Sequence, residues 1–462
     1  MPAIMALKLD LTGLFAGGLS REDFAARLPQ AAAARDAHLQ AMPAWRKLHE
    51  ATHHLESCRA RAEAVKAEQA PEYFVVLGIG GSALGNSAVL AALAPVYQEW
   101  APADGQPKCM VLDSIDPDWI AEFLANVPVE KCHFNVISKS GGTIETSSEF
   151  LVFYQAIREA LGSEEGVRSR FTVTTDPVGG HFRKLCDELG LFTLEVPDGV
   201  GGRFSVLSPV GLFNFEMAGL DSQSMLEGAG RVDNLCSSLP ADQDPTLGYA
   251  LAHVMHMEAG RPIHVHFPYA HRLRLLADWY KQLWAESLGK KTNMAGEVVH
   301  VGPTPVKAVG PTDQHSQCQL YIEGPDDKVY TMVKLGKHSH TVDIGEPFAD
   351  SPAFSHLANR SLNELIEVER QGTEVALMDA GRPVCTVELC KLDAFHVGQY
   401  FAFFEIATAI AGGIMGIDPF NQPGVESGKI AALSLMGCTG FEDRAAEIRA
   451  SSASRDPFVL TC

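Results

Sequence analysis

The sequence predicts an α/β protein with two mainly parallel sheets, a helical segment before them and a helical tail after. Three observations carry this expectation. Short β-rich runs alternate with stretches of helical composition, the runs are nearly all apolar, and the alternation pauses at a polar stretch and then resumes. Apolar strands alternating with helices imply a parallel sheet covered on both faces.

Taken in order, residues 1–68 read as a helical N-terminal segment, rich in Ala, Leu, Glu and Arg from about residue 20. Residues 69–220 then hold the runs "YFVVLGI" (73–79), "CMVLDS" (109–114), "HFNVIS" (133–138), "RFTVTT" (170–175) and "LFTLEV" (191–196). Helix-compatible segments such as "PDWIAEFLANV" and "SSEFLVFYQAIREAL" separate them. The polar stretch 221–248 marks a domain boundary. A second unit, 221–394, holds "PIHVHF" (262–267), "LYIEG" (320–324), "VYTMVKL" (329–335) and "PVCTVEL" (383–389). Residues 395–462 form the helical tail. Its run "FAFFEIATAIAGGIMGI" (401–417) is short for a membrane span and contains Glu405, so it reads as a buried core helix.

The 462 residues suffice for two or three domains, and 46% are hydrophobic, as in a globular protein. The net charge of −20 and the lack of any Lys/Arg run argue against nucleic acid as a partner. Ten cysteines lie scattered with no C-x-x-C pair, which fits reduced thiols in the cytoplasm. No secretory leader or membrane partner is expected. The histidine-rich "GKHSHTVD" (336–343) lacks a supporting set of ligands, so it reads as a surface loop and no metal is expected.

Six stretches carry candidate chemistry. "GIGGSALG" (78–85) follows an apolar run and precedes a helix, the pattern of a phosphate cradle. It nearly fits the dinucleotide fingerprint, so a nicotinamide oxidoreductase is one alternative. That reading wants an acidic residue about 20 positions on, whereas Asp113 lies 28 past Gly85. "SKSGGTIET" (138–146) offers hydroxyls from Ser138, Ser140 and Thr143, a charge from Lys139, and glycines that admit a close ligand. Thr143 is placed to cap the next helix. "GVGGRFSVLSPVGL" (199–212) sets Arg203 after a double glycine, where it could meet a buried anion.

"HRLRLLADWYKQLWAESLGKK" (271–291) places Leu273, Leu276, Tyr280, Leu283 and Trp284 on one helical side. Gln282 and Glu286, four apart, share another face, and Gly289 ends the helix just beyond. "GPTDQHSQC" (310–318) puts His315 in a polar loop near Asp313, and histidine transfers protons near neutral pH. "DPFNQPGVESGK" (418–429) gathers Gln422, Glu426 and Lys429 around a helix start.

Read in order, "GIGGSALG", "SKSGGTIET", "GGRFSVLSPVGL", "KQLWAESLGK", "DQHS" and "FNQPGVESGK" resemble the signature blocks of the phosphoglucose isomerase family in its shorter bacterial form. They span residues 78–429, nearly the whole chain. The resemblance implies two sugar-isomerase α/β sandwich domains and reversible conversion of glucose 6-phosphate to fructose 6-phosphate through an enediolate, in glycolysis and gluconeogenesis. It implies no metal or nucleotide cofactor. By resemblance, Ser138, Lys139, Ser140 and Thr143 hold the phosphate, and Gly81 and Ser82 line the sugar site. Glu286 moves the proton, Arg203 stabilises the enediolate oxygen, His315 and Lys429 assist ring opening, and Gln282 and Gln422 orient the sugar. It also implies a homodimer in which His315 reaches the neighbouring active site. Relatives often carry Asp where Asn421 stands and a bulkier residue at Pro423. A non-catalytic sugar-phosphate-binding regulator of the same fold is the second alternative. It has no need of Glu286, Arg203 and Lys429 together.

Overall fold

The computed structural model describes residues 7–139, 141–455 and 458–461. Strand β1 (Lys8–Asp10) lies within the segment expected to be helical, which otherwise holds the helices Arg21–Ala41 and Thr52–Gln69. Next come β2 (Tyr73–Leu77), β3 (Lys108–Leu112), β4 (Cys132–Ile137), β5 (Phe171–Thr175) and β6 (Phe192–Glu195), all within the five expected runs or one residue beyond them. They pair in the order β3-β2-β4-β5-β6, parallel throughout. Every residue of β4 and β5 is buried, as a sheet covered on both faces requires.

The strand order places a switch point between β2 and β4. The chain leaves β2 toward β3 on one side and later resumes at β4 on the other. A crevice therefore opens at the carboxyl ends of these two strands, where ligands bind in such sheets. The glycine turn after β2 and the 138–143 loop after β4 both border it.

The second sheet starts with β7 (Ile263–Pro268). A small antiparallel pair, β8 (Lys290–Thr292) and β9 (Val298–Val301), follows. Then come β10 (Thr304–Lys307), β11 (Lys328–Lys337) and β12 (Val384–Lys391). The order is β1-β12-β11-β7-β10, parallel except for β1. Two details differ from expectation. "LYIEG" falls in a helix, Cys318–Glu323, of which only Tyr321 is buried, and the strand beside β7 is instead the unforeseen β10.

The polar stretch after residue 220 folds into the helices Ser222–Ser238 and Pro245–Glu258. Both pack on the helix Ala394–Ile414. That helix is long and apolar enough to cross a membrane, but 94% of its most apolar window is buried inside the protein. It is the core helix expected from its sequence. Burial pushes the Glu405 carboxyl on it well above the usual range. The final helices, Pro423–Leu435 and Glu442–Ala453, are largely exposed. The nine described cysteines are all free.

Candidate active site

The site assembles around Arg203. The backbone of Gly81 lies so close to Gly202 that a Cβ there would sit 2.2 Å from the Gly202 carbonyl carbon. Only glycine permits this approach, which presses the turn after β2 against the loop bearing Arg203. Arg203 is buried, and its guanidinium finds an acceptor in every direction. Nε donates to Ser287 Oγ at 2.7 Å. One terminal nitrogen donates to Glu286 Oε2 at 3.4 Å and Gln422 Oε1 at 3.1 Å. The other donates to the carbonyls of Pro419 at 2.7 Å and Asn421 at 3.2 Å.

Glu286 stands in the last turn of the helix Arg274–Leu288, as its spacing from Gly289 predicts. The five apolar residues assigned to one side of this helix and its approach are all buried. Packing that face turns Gln282 and Glu286 toward the cleft, where Gln282 Nε2 donates to Glu286 Oε2 at 3.3 Å. Gly80 borders the same space, since a Cβ on it would lie 3.1 Å from Gln282 Nε2. The Glu286 side chain stays 27% exposed, so it is held by two donors and still open to a ligand.

Lys290 belongs to this centre, and motif reasoning did not single it out. Its ammonium donates to the carbonyls of Glu286 at 2.7 Å and Asn421 at 2.9 Å. Burial, aided by the Arg203 charge, lowers its pKa to about 8. Ser287 was missed as well. The departure at Asn421 does not disturb the cluster. Its carbonyl serves Arg203 and Lys290, and its side-chain amide donates to Asp418 at 2.7 Å.

The loop after β4 forms the opposite wall. Gly141 has φ +66°, and a Cβ on it would lie 2.4 Å from the Phe182 nitrogen. Ser138 Oγ accepts from the Gly141 N–H at 3.1 Å. Thr143 takes the N-cap position of the helix Ile144–Leu161, though its hydroxyl makes no capping bond and instead faces Ser138 Oγ at 3.5 Å. Lys139 reaches across to the Val200 carbonyl at 3.2 Å, three residues before Arg203. Ser82 closes the β2 turn, its carbonyl accepting from Asn86 at 2.8 Å. Ser140 lies outside the described residues.

Two expected residues stay apart from this cluster. His315 is exposed beside the short turn Thr312–Gln314. Lys429 is exposed on the helix Pro423–Leu435 and pairs with Glu426 at 2.9 Å. Among the described residues, neither hydrogen-bonds nor ion-pairs with Glu286 or Arg203.

Comparison with known proteins bears on the whole chain. A family model described as phosphoglucose isomerase matches residues 37–454. The glucose-6-phosphate isomerase of Rubrobacter xylanophilus is 40% identical over 92% of this chain and 96% of its own. That of Carboxydothermus hydrogenoformans is 43% identical over 82% and 81%. Among solved structures, a hypothetical protein of Thermus thermophilus aligns with TM-score 0.84 and 34% identity, covering 93% of this chain and all of its own. A glucose-6-phosphate isomerase from Chlamydia trachomatis shares the fold at TM-score 0.73 and 23% identity, over 87% of this chain and 77% of its own. With the family match running through every segment that builds the cleft, the chain belongs to the phosphoglucose isomerase family.

Proposed function

We propose that the protein catalyses the reversible isomerisation of glucose 6-phosphate and fructose 6-phosphate. The observation that carries this reading is the contact of buried Arg203 with both Glu286 and Gln422. A carboxylate held beside a fixed cation suits proton removal with a charge developing on oxygen.

In the aldose-to-ketose direction, Glu286 takes the C2 proton of the open-chain sugar. The C2–H electrons form the C1–C2 double bond, and negative charge moves onto O1. Arg203 stabilises the resulting enediolate, with Lys290 adding a second cation nearby. The O2 hydroxyl proton passes to O1, the electrons left on O2 form the C2 ketone, and the C1–C2 double-bond pair takes the proton back from Glu286 at C1. Ser138, Lys139, Ser140 and Thr143 hold the phosphate, Gly81 and Ser82 line the sugar, and Gln282 and Gln422 orient it. His315 and Lys429 serve ring opening. The working form is a cytoplasmic homodimer in which His315 comes from the neighbouring chain. Its exposure, and that of the C-terminal helices with Leu435 and Met436 uncovered, supports this arrangement. Residues 69–220 and 221–394 form the two sugar-isomerase domains, between the helical segment 1–68 and the tail 395–462.

The oxidoreductase reading falls with the family assignment, and nothing favours the non-catalytic regulator. The test is isomerisation in heavy water, stopped at low conversion. Deuterium at the carbon that receives the proton supports the carboxylate mechanism. Complete retention of substrate hydrogen, together with an active Glu286→Gln variant, refutes it.

A further inference from the structure

Chain order shows no set of ligands at metal spacing, yet folding creates one outside the cleft. His53 and His54 are consecutive in the first turn of the helix Thr52–Gln69, and Glu195 ends β6. His54 Nδ1 lies 3.3 Å from Glu195 Oε1, and His53 Nε2 lies 3.8 Å from the same oxygen. All three ligand atoms fall within 4.8 Å of one another. With metal–ligand bonds of about 2.0–2.1 Å, neighbouring atoms of a tetrahedral site are about 3.4 Å apart. The two distances to Glu195 lie close to that value. The third edge closes by rotation of His53, whose side chain is 67% exposed. His54 is buried and held in place.

The surroundings leave room for an ion. A cavity of about 450 Å³ opens on the three side chains, lined also by Ser57, Pro177, Arg183 and Pro209. Water can fill a fourth position from there. The Arg183 charge is neutralised by Asp187, its neighbour one turn on. The positive end of the helix works against a cation, and the Glu195 carboxylate offsets it.

We propose that His53, His54 and Glu195 form a structural site for a divalent transition-metal ion, with Zn²⁺ the best match. Two imidazoles and one carboxylate suit Zn²⁺, whereas Mg²⁺ and Ca²⁺ favour all-oxygen ligands. The ion clips the helix Thr52–Gln69 to the edge strand β6. That strand feeds the loop that carries Val200 and Arg203, so the clip stiffens one wall of the cleft without entering the chemistry.

The test is calorimetric titration of the full-length, metal-free protein with Zn²⁺, with Co²⁺ as a visible-spectrum probe. One ion per chain binds, the Co²⁺ spectrum is that of a tetrahedral site, and Zn²⁺ raises the melting temperature. Loss of outer-shell partners alone costs 10–100-fold in affinity, so His53→Ala and Glu195→Gln each weaken binding by at least about 100-fold. Both positions are exposed, so the variants fold and keep metal-free turnover. His54→Gln gives the same loss of binding. No saturable binding, or binding that these substitutions leave within about threefold, overturns the proposal.

Discussion

Glu149 gives the fold a pH dependence that one substitution removes. It lies in the helix Ile144–Leu161, which starts at the 138–143 loop, and is 3% exposed. Its Oε1 has no hydrogen-bond partner. Burial, with the charges of Asp113 and Glu145 adding to it, pushes the carboxyl pKa up to about 8 from an ordinary 4.5. The folded state therefore holds a proton that the unfolded chain releases above pH 4.5. Stability is fully present below that pH and falls as pH rises toward 8. At about 1.4 kcal/mol per unit, the loss reaches about 3 kcal/mol by pH 7 and approaches 5 at pH 8 and above. Glu149→Gln keeps the shape and has no proton to lose. We expect the variant to match the parent near pH 4.5 and to exceed it by a few kcal/mol at pH 8. Melting followed by circular dichroism at both pH values measures this as a temperature gain of about a few degrees at the higher pH alone. A gain that is equal at both pH values, or a variant less stable at pH 8, would refute the reasoning. The first would mean that the carboxyl has the same pKa folded and unfolded, the second that Glu149 is ionised and satisfied in the fold.

The remaining predictions concern the cleft. Glu286→Gln should cut turnover at least 10²–10⁴-fold, the usual contribution of positioned acid–base catalysis, while binding of a phosphorylated sugar-acid inhibitor survives. Mixing Glu286→Gln with His315→Ala chains under subunit exchange should restore activity, because one hybrid site then holds both native residues; a mixture that stays inactive would place His315 in its own chain's site. Lys139→Ala should raise KM with little change in kcat, since its charge serves ground and transition states alike, and an unchanged KM would move the phosphate elsewhere. Lys290 loses its proton near pH 8, so turnover should fall on the alkaline side of that value. Lys290→Met should be slower and flat from pH 7 to 9, and a limb that persists in the variant would assign it to another group.

Much of the fold was legible because its signals are local. β2, β4 and β5 are short runs rich in β-branched and aromatic residues and buried along almost their whole length, and the helix Arg274–Leu288 carries an unbroken apolar side. What escaped depends on distant partners or mixed local cues. β1 is three residues long and exists through pairing with Glu388, Val387 and Thr386. β10 contains Pro305, which an edge strand tolerates and a central strand does not. "LYIEG" has strand-forming residue types but too few positions to separate a period of 2 from 3.6. The same division runs through the site. Glu286, Gln282 and the two glycine loops announce themselves by residue type and spacing. Lys290 and Asn421 act through backbone carbonyls, which leave no mark in the sequence.

Arg203 shows why those carbonyls matter. A guanidinium has five N–H donors and cannot shed its charge, so burial obliges the fold to supply acceptors. Here they are Ser287 and Glu286, more than 80 residues away, and the segment Pro419–Gln422, more than 200 away. Without that distant segment, one face of the guanidinium would lie buried and unpaired at a cost of several kcal/mol. Satisfying it draws the segment between the core helix and the last two helices onto the cleft and sets Gln422 and Glu286 on the same guanidinium nitrogen. The charge proposed to stabilise the enediolate is thus also the element that assembles the site around it.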